Sequence, residues 1–292
     1  MQRRPTLRGV RAVFAMVQPS QPARPPRRST QAAPVADNAW APGRLDRVDA
    51  LRGLAMVWMT VYHFCFDLNH FGLIRQDFYF DPVWTWQRTG IVSLFLIAAG
   101  MGQALAVQAG QRWPRFWRRW AQVAGCALLV TLGSWWMFPH SWISFGVLHG
   151  MAAMLLITRW ALLRGLSGAW PWLWGAVLVA AGPLGSAWLQ ANAGAHPALA
   201  AALDSRWLNW LGWVTHKPPT EDFVPLLPWL GVMWWGVGAA QLLRARAPGW
   251  LAQPVGRAGG ALAWLGRWSL SYYMLHQPVL IGALTAWAAW GR

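Results

Sequence analysis

The first residues in this chain that could do chemistry are a histidine and an aspartate four positions apart. His63 and Asp67 stand in HFCFDL, and on an α-helix that spacing brings their Cβ atoms within about 6 Å. A carboxylate beside an imidazole fixes its tautomer and raises its basicity, which is what a general base needs. The bland alternative is a pair that only satisfies itself, or an Asp67 at a water interface. His149 lies in SFGVLHGMA, bracketed by Gly146 and Gly150. Small residues let helices approach closely and would bring the ring toward a neighbouring helix; a ring bonded to a backbone carbonyl is the competing reading. His276 opens HQP. Pro278 frees a carbonyl one turn earlier and favours a kink, and a kink edged with polar groups can line a cavity. His63, Asp67, His149 and His276 are therefore the candidate catalytic residues, with Asp67 as the expected orienter of His63.

A second constellation is basic. RLDRVDALRG sets Arg44, Arg47 and Arg52 beside Asp46 and Asp49. Guanidinium forks match phosphate oxygens, so Arg47 and Arg52 are candidates for an anionic ligand. The alternative is ordinary basic flanking charge with contacts to anionic lipid. No P-loop, dinucleotide glycine pattern, HExxH or GxSxG is present, and no metal is expected.

These residues must be positioned by membrane helices. The 292 residues are 56% hydrophobic and 12% charged, against about 25% charged in soluble domains. Twenty-six Trp suit membrane–water interfaces. Seven apolar stretches follow one another at 48–68, 90–108, 120–138, 143–163, 170–190, 223–243 and 264–288. Each is near the roughly 20 residues that cross a bilayer as a helix. The expected fold is all-α, a bundle of about seven transmembrane helices.

Orientation follows from where Arg and Lys fall. With the N-terminus in the cytoplasm, only Arg75, Arg88, Arg206, Lys217 and Arg292 lie outside. Topology thus explains the net charge of +16, and nucleic acid is excluded as a partner. No histidine falls in a cytoplasmic loop, and His63, His149 and His276 fall within spans. An ionisable group inside a membrane is costly and marks function. Three such histidines could also ligate haem, and kinked spans with midplane polar groups suit a transporter or flippase-like carrier without chemistry. Residues 1–43, rich in Arg and Pro, read as a disordered basic cytoplasmic tail. In the external segment 191–222, Leu199, Leu203, Trp207, Trp210, Leu211 and Val214 keep helical spacing and predict an interfacial helix. Cys65 and Cys126 both fall in apolar runs, so no disulfide is expected.

The stretch RVDALRGLAMVWMTVYHFCFDLNHFG resembles the opening of the heparan-alpha-glucosaminide N-acetyltransferase catalytic-domain family, in particular its bacterial members. ISFGVLHGMA, DFVPLLPWLGVMWWGVG and LGRWSLSYYMLHQP follow in the family's order and extend the resemblance over about 44–280. It implies a multi-pass membrane acetyltransferase of the bacterial inner membrane. Acetyl-CoA serves as co-substrate from the cytoplasm, and the acetyl group passes to an amino sugar or similar envelope acceptor outside. The family's essential histidine follows an RG motif, and here both His63 and His70 follow Arg52-Gly53. Arg47 and Arg52 would lie near the CoA phosphates. The partners expected are a small-molecule or glycan acceptor and membrane lipids, and a homo-oligomer is compatible with such a chain.

Overall fold

The computed structural model describes residues 45–290. The basic segment 1–43, Arg44 and Arg292 lie outside the described residues. Within them every regular element is helical: α1 (Asp46–His70), α2 (Pro82–Gln108), α3 (Trp113–Met137), α4 (Val147–Leu163), α5 (Trp170–Asn192), α6 (Pro197–Asp204), α7 (Leu226–Arg246), α8 (Pro248–Ala252), α9 (Arg257–Arg267) and α10 (Ser269–Trp290). Proline opens several of them, at Pro82, Pro114, Pro171, Pro197 and Pro248, where its missing N–H costs nothing and its fixed φ suits the first turn.

The long helices fall on the apolar stretches, with three differences. The seventh stretch is not one helix. It breaks at Trp268 into α9 and α10, whereas α10 runs unbroken through Pro278, where the kink was expected. The fourth helix starts at Val147 rather than 143 because α3 claims the preceding backbone. The Ile143 N–H donates to Ser134 Oγ and its carbonyl accepts from Thr131 Oγ1. The expected interfacial helix stops at Asp204, followed only by a 3₁₀ turn at Asn209–Leu211. The Asp204 carboxylate accepts from both the backbone and the hydroxyl of Thr215 (2.8 and 2.5 Å), which turns the chain back on itself.

Two helix crossings set the frame. At α1/α9 a Cβ on Gly53 would stand 1.9 Å from the Leu262 carbonyl oxygen, and one on Gly266 would stand 1.8 Å from that of Asp49. At α2/α7 a Cβ on Gly100 would meet the Met233 carbonyl oxygen at 2.0 Å. Only glycine permits these approaches. Leu96, Met154 and Met233 form a fully buried centre between α2, α4 and α7, and Met56, Met59, Tyr62 and Phe78 form another beside α1.

Cross-contacts give the directions. Trp58 reaches Gln87 and Arg52 reaches Ala98, so α1 and α2 are antiparallel. Tyr272, His276 and Gln277 meet Thr60, His63 and Asp67 in ascending order, so α10 runs with α1. Arg47, Arg52, Arg119, Arg159, Arg244 and Arg267 lie at one end of the bundle, where α1 and α3 begin and α2 and α7 end. The histidines occupy its middle and the opposite end.

The chain is an integral membrane protein. Pro82–Gln108, Trp170–Asn192 and Leu226–Arg246 are long and apolar enough to cross a bilayer. The other expected spans are helical too, but α1 and α3 carry charge within their first turns and α4 has 17 residues. Trp86, Trp136 and Trp207 are among the most exposed side chains. Large exposed apolar surface of this kind signals a non-aqueous surrounding.

Candidate functional site

The parallel run of α10 along α1 builds the centre of the site. His63 Nδ1 lies 2.7 Å from His276 Nε2, and His276 Nδ1 lies 2.7 Å from the Tyr273 carbonyl oxygen. A carbonyl can only accept, so His276 carries its proton on Nδ1. Its Nε2 is then an acceptor, and His63 Nδ1–H is the donor. Two neutral rings thus leave the lone pair of His63 on Nε2, where a base or nucleophile needs it. The same reasoning orders the next turn. Thr60 Oγ1 donates to the Met56 carbonyl at 2.8 Å, so the Tyr272 hydroxyl donates to Thr60 Oγ1 at 2.7 Å. Ring packing holds both imidazoles: His63 and His276 stack with centroids 5.0 Å apart, Tyr272 stacks on His276 and Tyr62 meets His63 edge-on.

Asp67 does not orient His63, contrary to the expectation from their spacing. Its Oδ1 accepts from Gln277 Nε2 at 2.7 Å. The reason is that α10 supplies a partner at each level of α1: His276 opposite His63, and Gln277 opposite Asp67. Asp67 is 3% exposed, yet its Oδ2 has no hydrogen-bond partner, and neither has Gln277 Oε1.

His149 stands apart from this pair. Its Nδ1 accepts from the Gly146 N–H at 3.3 Å, so its Nε2 carries the proton and donates to Thr131 Oγ1 at 3.0 Å. Both ring nitrogens are used to cap α4 and tie it to α3. Neither nitrogen of His149 is therefore left for a centre shared with His63 and His276, as haem ligation by all three would require. His70 ends α1 and is exposed. With Phe66, Asn69, Arg75 and Gln76 it lines a recess of about 440 Å³ at the histidine end.

A larger cavity of about 480 Å³ opens at the arginine end, within the usual range for ligand pockets. Arg52, Arg119 and Arg267 line it with Gln103 and Gln111, and Tyr273 stands in its wall. Gln103 Oε1 is buried without a partner. Arg52 is held by Asp49 Oδ1 at 2.5 Å and fits because residue 102 is glycine: a Cβ there would stand 2.5 Å from its Nη2. Arg267 binds Asp46 Oδ1 at 2.6 Å. Arg47, the other arginine of the expected anion site, is directed elsewhere. It bonds Gln253 and lies 4.2 Å over the Trp250 ring. Arg119 and Arg267 escaped the sequence reading because Arg119 sits in a run of basic residues that looks like flanking charge, and Arg267 is remote from RLDRVDALRG in the chain.

Outside the helices, Asp222 organises the histidine end. Its Oδ2 accepts from the Val147 N–H at 2.6 Å, at the start of α4. Burial pushes its carboxyl upward, and hydrogen bonding to Val147 with the charges of Arg88 and Lys217 opposes that shift. Burial first, and Arg88 second, push the Lys217 ammonium downward.

Residues 44–278 match the family model described as heparan-alpha-glucosaminide N-acetyltransferase, catalytic. No curated protein and no solved structure matches the chain.

Proposed function

The chain belongs to the heparan-alpha-glucosaminide N-acetyltransferase catalytic family, and from that premise we propose that it moves acetyl from acetyl-CoA, entering at the arginine end, to an amino sugar or similar acceptor reached from the histidine end. All seven long apolar stretches cross the membrane in this reading. The arginine end faces the cytoplasm, following the positive-inside rule, and the membrane is the bacterial inner membrane.

One observation carries the reading: the arginine-lined cavity extends to Tyr273, the residue that hydrogen-bonds His276. Arg52, Arg119 and Arg267 line it, and its wall includes Tyr273, whose carbonyl fixes the tautomer of His276 and, through it, of His63. Three guanidinium groups suit the phosphates of a donor, and Gln103 offers a buried amide oxygen to its pantetheine-like amides.

The chemistry then follows from His63 Nε2. It takes a proton from the acceptor ammonium, making an amine nucleophile. The amine attacks the thioester carbonyl, a C–N bond forms and the C–S bond breaks. The thiolate leaves with the remaining proton of the addition species, and His63 releases its proton to water. The products are an amide and free CoA thiol. General-base help of this kind is typically worth about 10²–10⁴-fold. His276 acts as a positioning residue.

The test is acetyl transfer from radiolabelled acetyl-CoA to glucosamine by the purified protein in detergent. Transfer that disappears in His63→Gln, with the melting temperature retained, is the expected result. Full transfer in that variant would move the base to His70. Uptake of glucosamine by vesicles without acetylation would overturn the enzyme reading.

A further inference from the structure

Asp67 and Gln277 have no task in the reaction just described, yet they are among the most costly groups in the bundle. A buried acceptor without a hydrogen bond costs about 1–3 kcal/mol, and more when charged. Here two such atoms, Asp67 Oδ2 and Gln277 Oε1, belong to side chains joined by a 2.7 Å hydrogen bond. Asp67 is 3% exposed. The pair lies one turn along α1 from His63, and Gln277 directly follows His276 in α10.

The chemistry of the pair is one-sided. One of the two Gln277 Nε2 hydrogens is spent internally on Oδ1, and the two atoms left without any partner are a carboxylate oxygen and an amide oxygen, both acceptors. Two unmatched acceptors and one negative charge call for a group with several donors and a positive charge, and a primary ammonium has three N–H donors. A neutral hydroxyl offers one donor and no charge. An anion would be repelled.

We infer that Asp67 and Gln277 form the subsite that binds the ammonium group of the acceptor and makes the protein select amines over hydroxyls. The assignment rests on the acetyltransferase reading for its place in a reaction, while the binding itself does not. Phe66, which precedes Asp67, and His70, one turn beyond it, line the recess at the histidine end, so the recess comes within one residue of Asp67 along the chain without including it. The bound ammonium sits one turn from His63, where deprotonation frees the lone pair for attack. Asp67 holds the ammonium and is a specificity residue rather than the base.

The experiment is ligand-observed NMR titration of the full chain in detergent with glucosamine and with glucose, which carries a hydroxyl in place of the ammonium. Glucosamine binding at least tenfold more tightly to the wild-type protein is the expected result. Asp67→Asn, nearly the same in size, is expected to remove that preference and leave glucose affinity unchanged. In transfer assays it should raise KM for glucosamine at least tenfold and change kcat by a smaller factor. Equal affinity for the two sugars in the wild-type protein overturns the inference, and that comparison does not depend on the folding of any variant. A preference that survives Asp67→Asn also overturns it. Acetyl transfer without amine preference sinks the subsite and leaves the enzyme reading in place. An Asp67-dependent preference without acetyl transfer upholds the subsite and sinks the enzyme reading.

Discussion

Replacing His276 by leucine tests the tautomer relay directly. In the native arrangement the Tyr273 carbonyl fixes His276, and His276 Nε2 accepts the proton of His63 Nδ1 at 2.7 Å. Leucine fills much of the ring's volume but accepts nothing. The His63 Nδ1–H would then be a donor without a partner in a half-buried setting, at a cost of about 1–3 kcal/mol. The ring escapes by moving its proton to Nε2, which removes the lone pair from the reactive side. At RT near 0.59 kcal/mol, the productive tautomer falls by a factor of about 5 to 150. The expected outcome is a loss of kcat of that size with KM for acetyl-CoA unchanged, since no residue lining the cavity is altered. His276→Gln supplies an amide oxygen that can accept from His63 and is expected to recover most of the loss. Initial rates of acetyl transfer, with melting curves as the control for folding, measure both variants. Wild-type kcat in His276→Leu, or a glutamine variant worse than the leucine one, would refute the relay.

Four further outcomes follow. Gly102→Ala sets a methyl 2.5 Å from Arg52 Nη2 and should displace the guanidinium, raising KM for acetyl-CoA roughly tenfold, the scale of one charged hydrogen bond, with little change in kcat. Gly266→Val drives its side chain into the Asp49 carbonyl and should prevent a folded product, read as loss of the monodisperse peak in size-exclusion chromatography. His149→Ala removes the cap of α4 and should lower stability by about 1 kcal/mol while kcat of the folded fraction stays within a few-fold of wild type. Asp222→Asn tests a pH effect. Burial raises the folded-state pKa of Asp222, so the native state holds that proton more tightly than the unfolded chain does. The ionised form is a liability that is full above the folded-state pKa and vanishes as pH falls below the ordinary carboxylate range. The melting temperature of the wild type relative to Asp222→Asn should therefore rise as the pH is lowered from neutral into the ordinary carboxylate range, about 4, and a gap that stays constant would contradict the assignment.

The sequence by itself determined the helical architecture, because apolar runs of membrane-spanning length, opened by prolines and separated by charged or glycine-rich turns, have few other solutions. It determined the gathering of arginines toward one end, since alternating direction along the chain sorts charge by position alone. It drew attention to His63, His149 and His276 alike, because imidazoles inside apolar helices are rare enough to notice one by one, and it did not say that two of them pair.

Partnership was decided only by the tertiary structure. Spacing along α1 pointed to Asp67 as the neighbour of His63, but α10 lies beside α1 in ascending register and interposes His276 and Gln277 at those two levels. Hydrogen-bond partners are chosen by distance across a helix crossing, and no periodicity within one helix encodes that register. Arg119 and Arg267 join Arg52 in one cavity, while Arg47, five residues from Arg52, stacks on Trp250. The crossing of α1 with α9 is fixed by glycines 53 and 266, far apart in sequence and in contact only once the backbones close on each other. The types of group available were written in the chain; which group meets which depended on how closely its helices could pack.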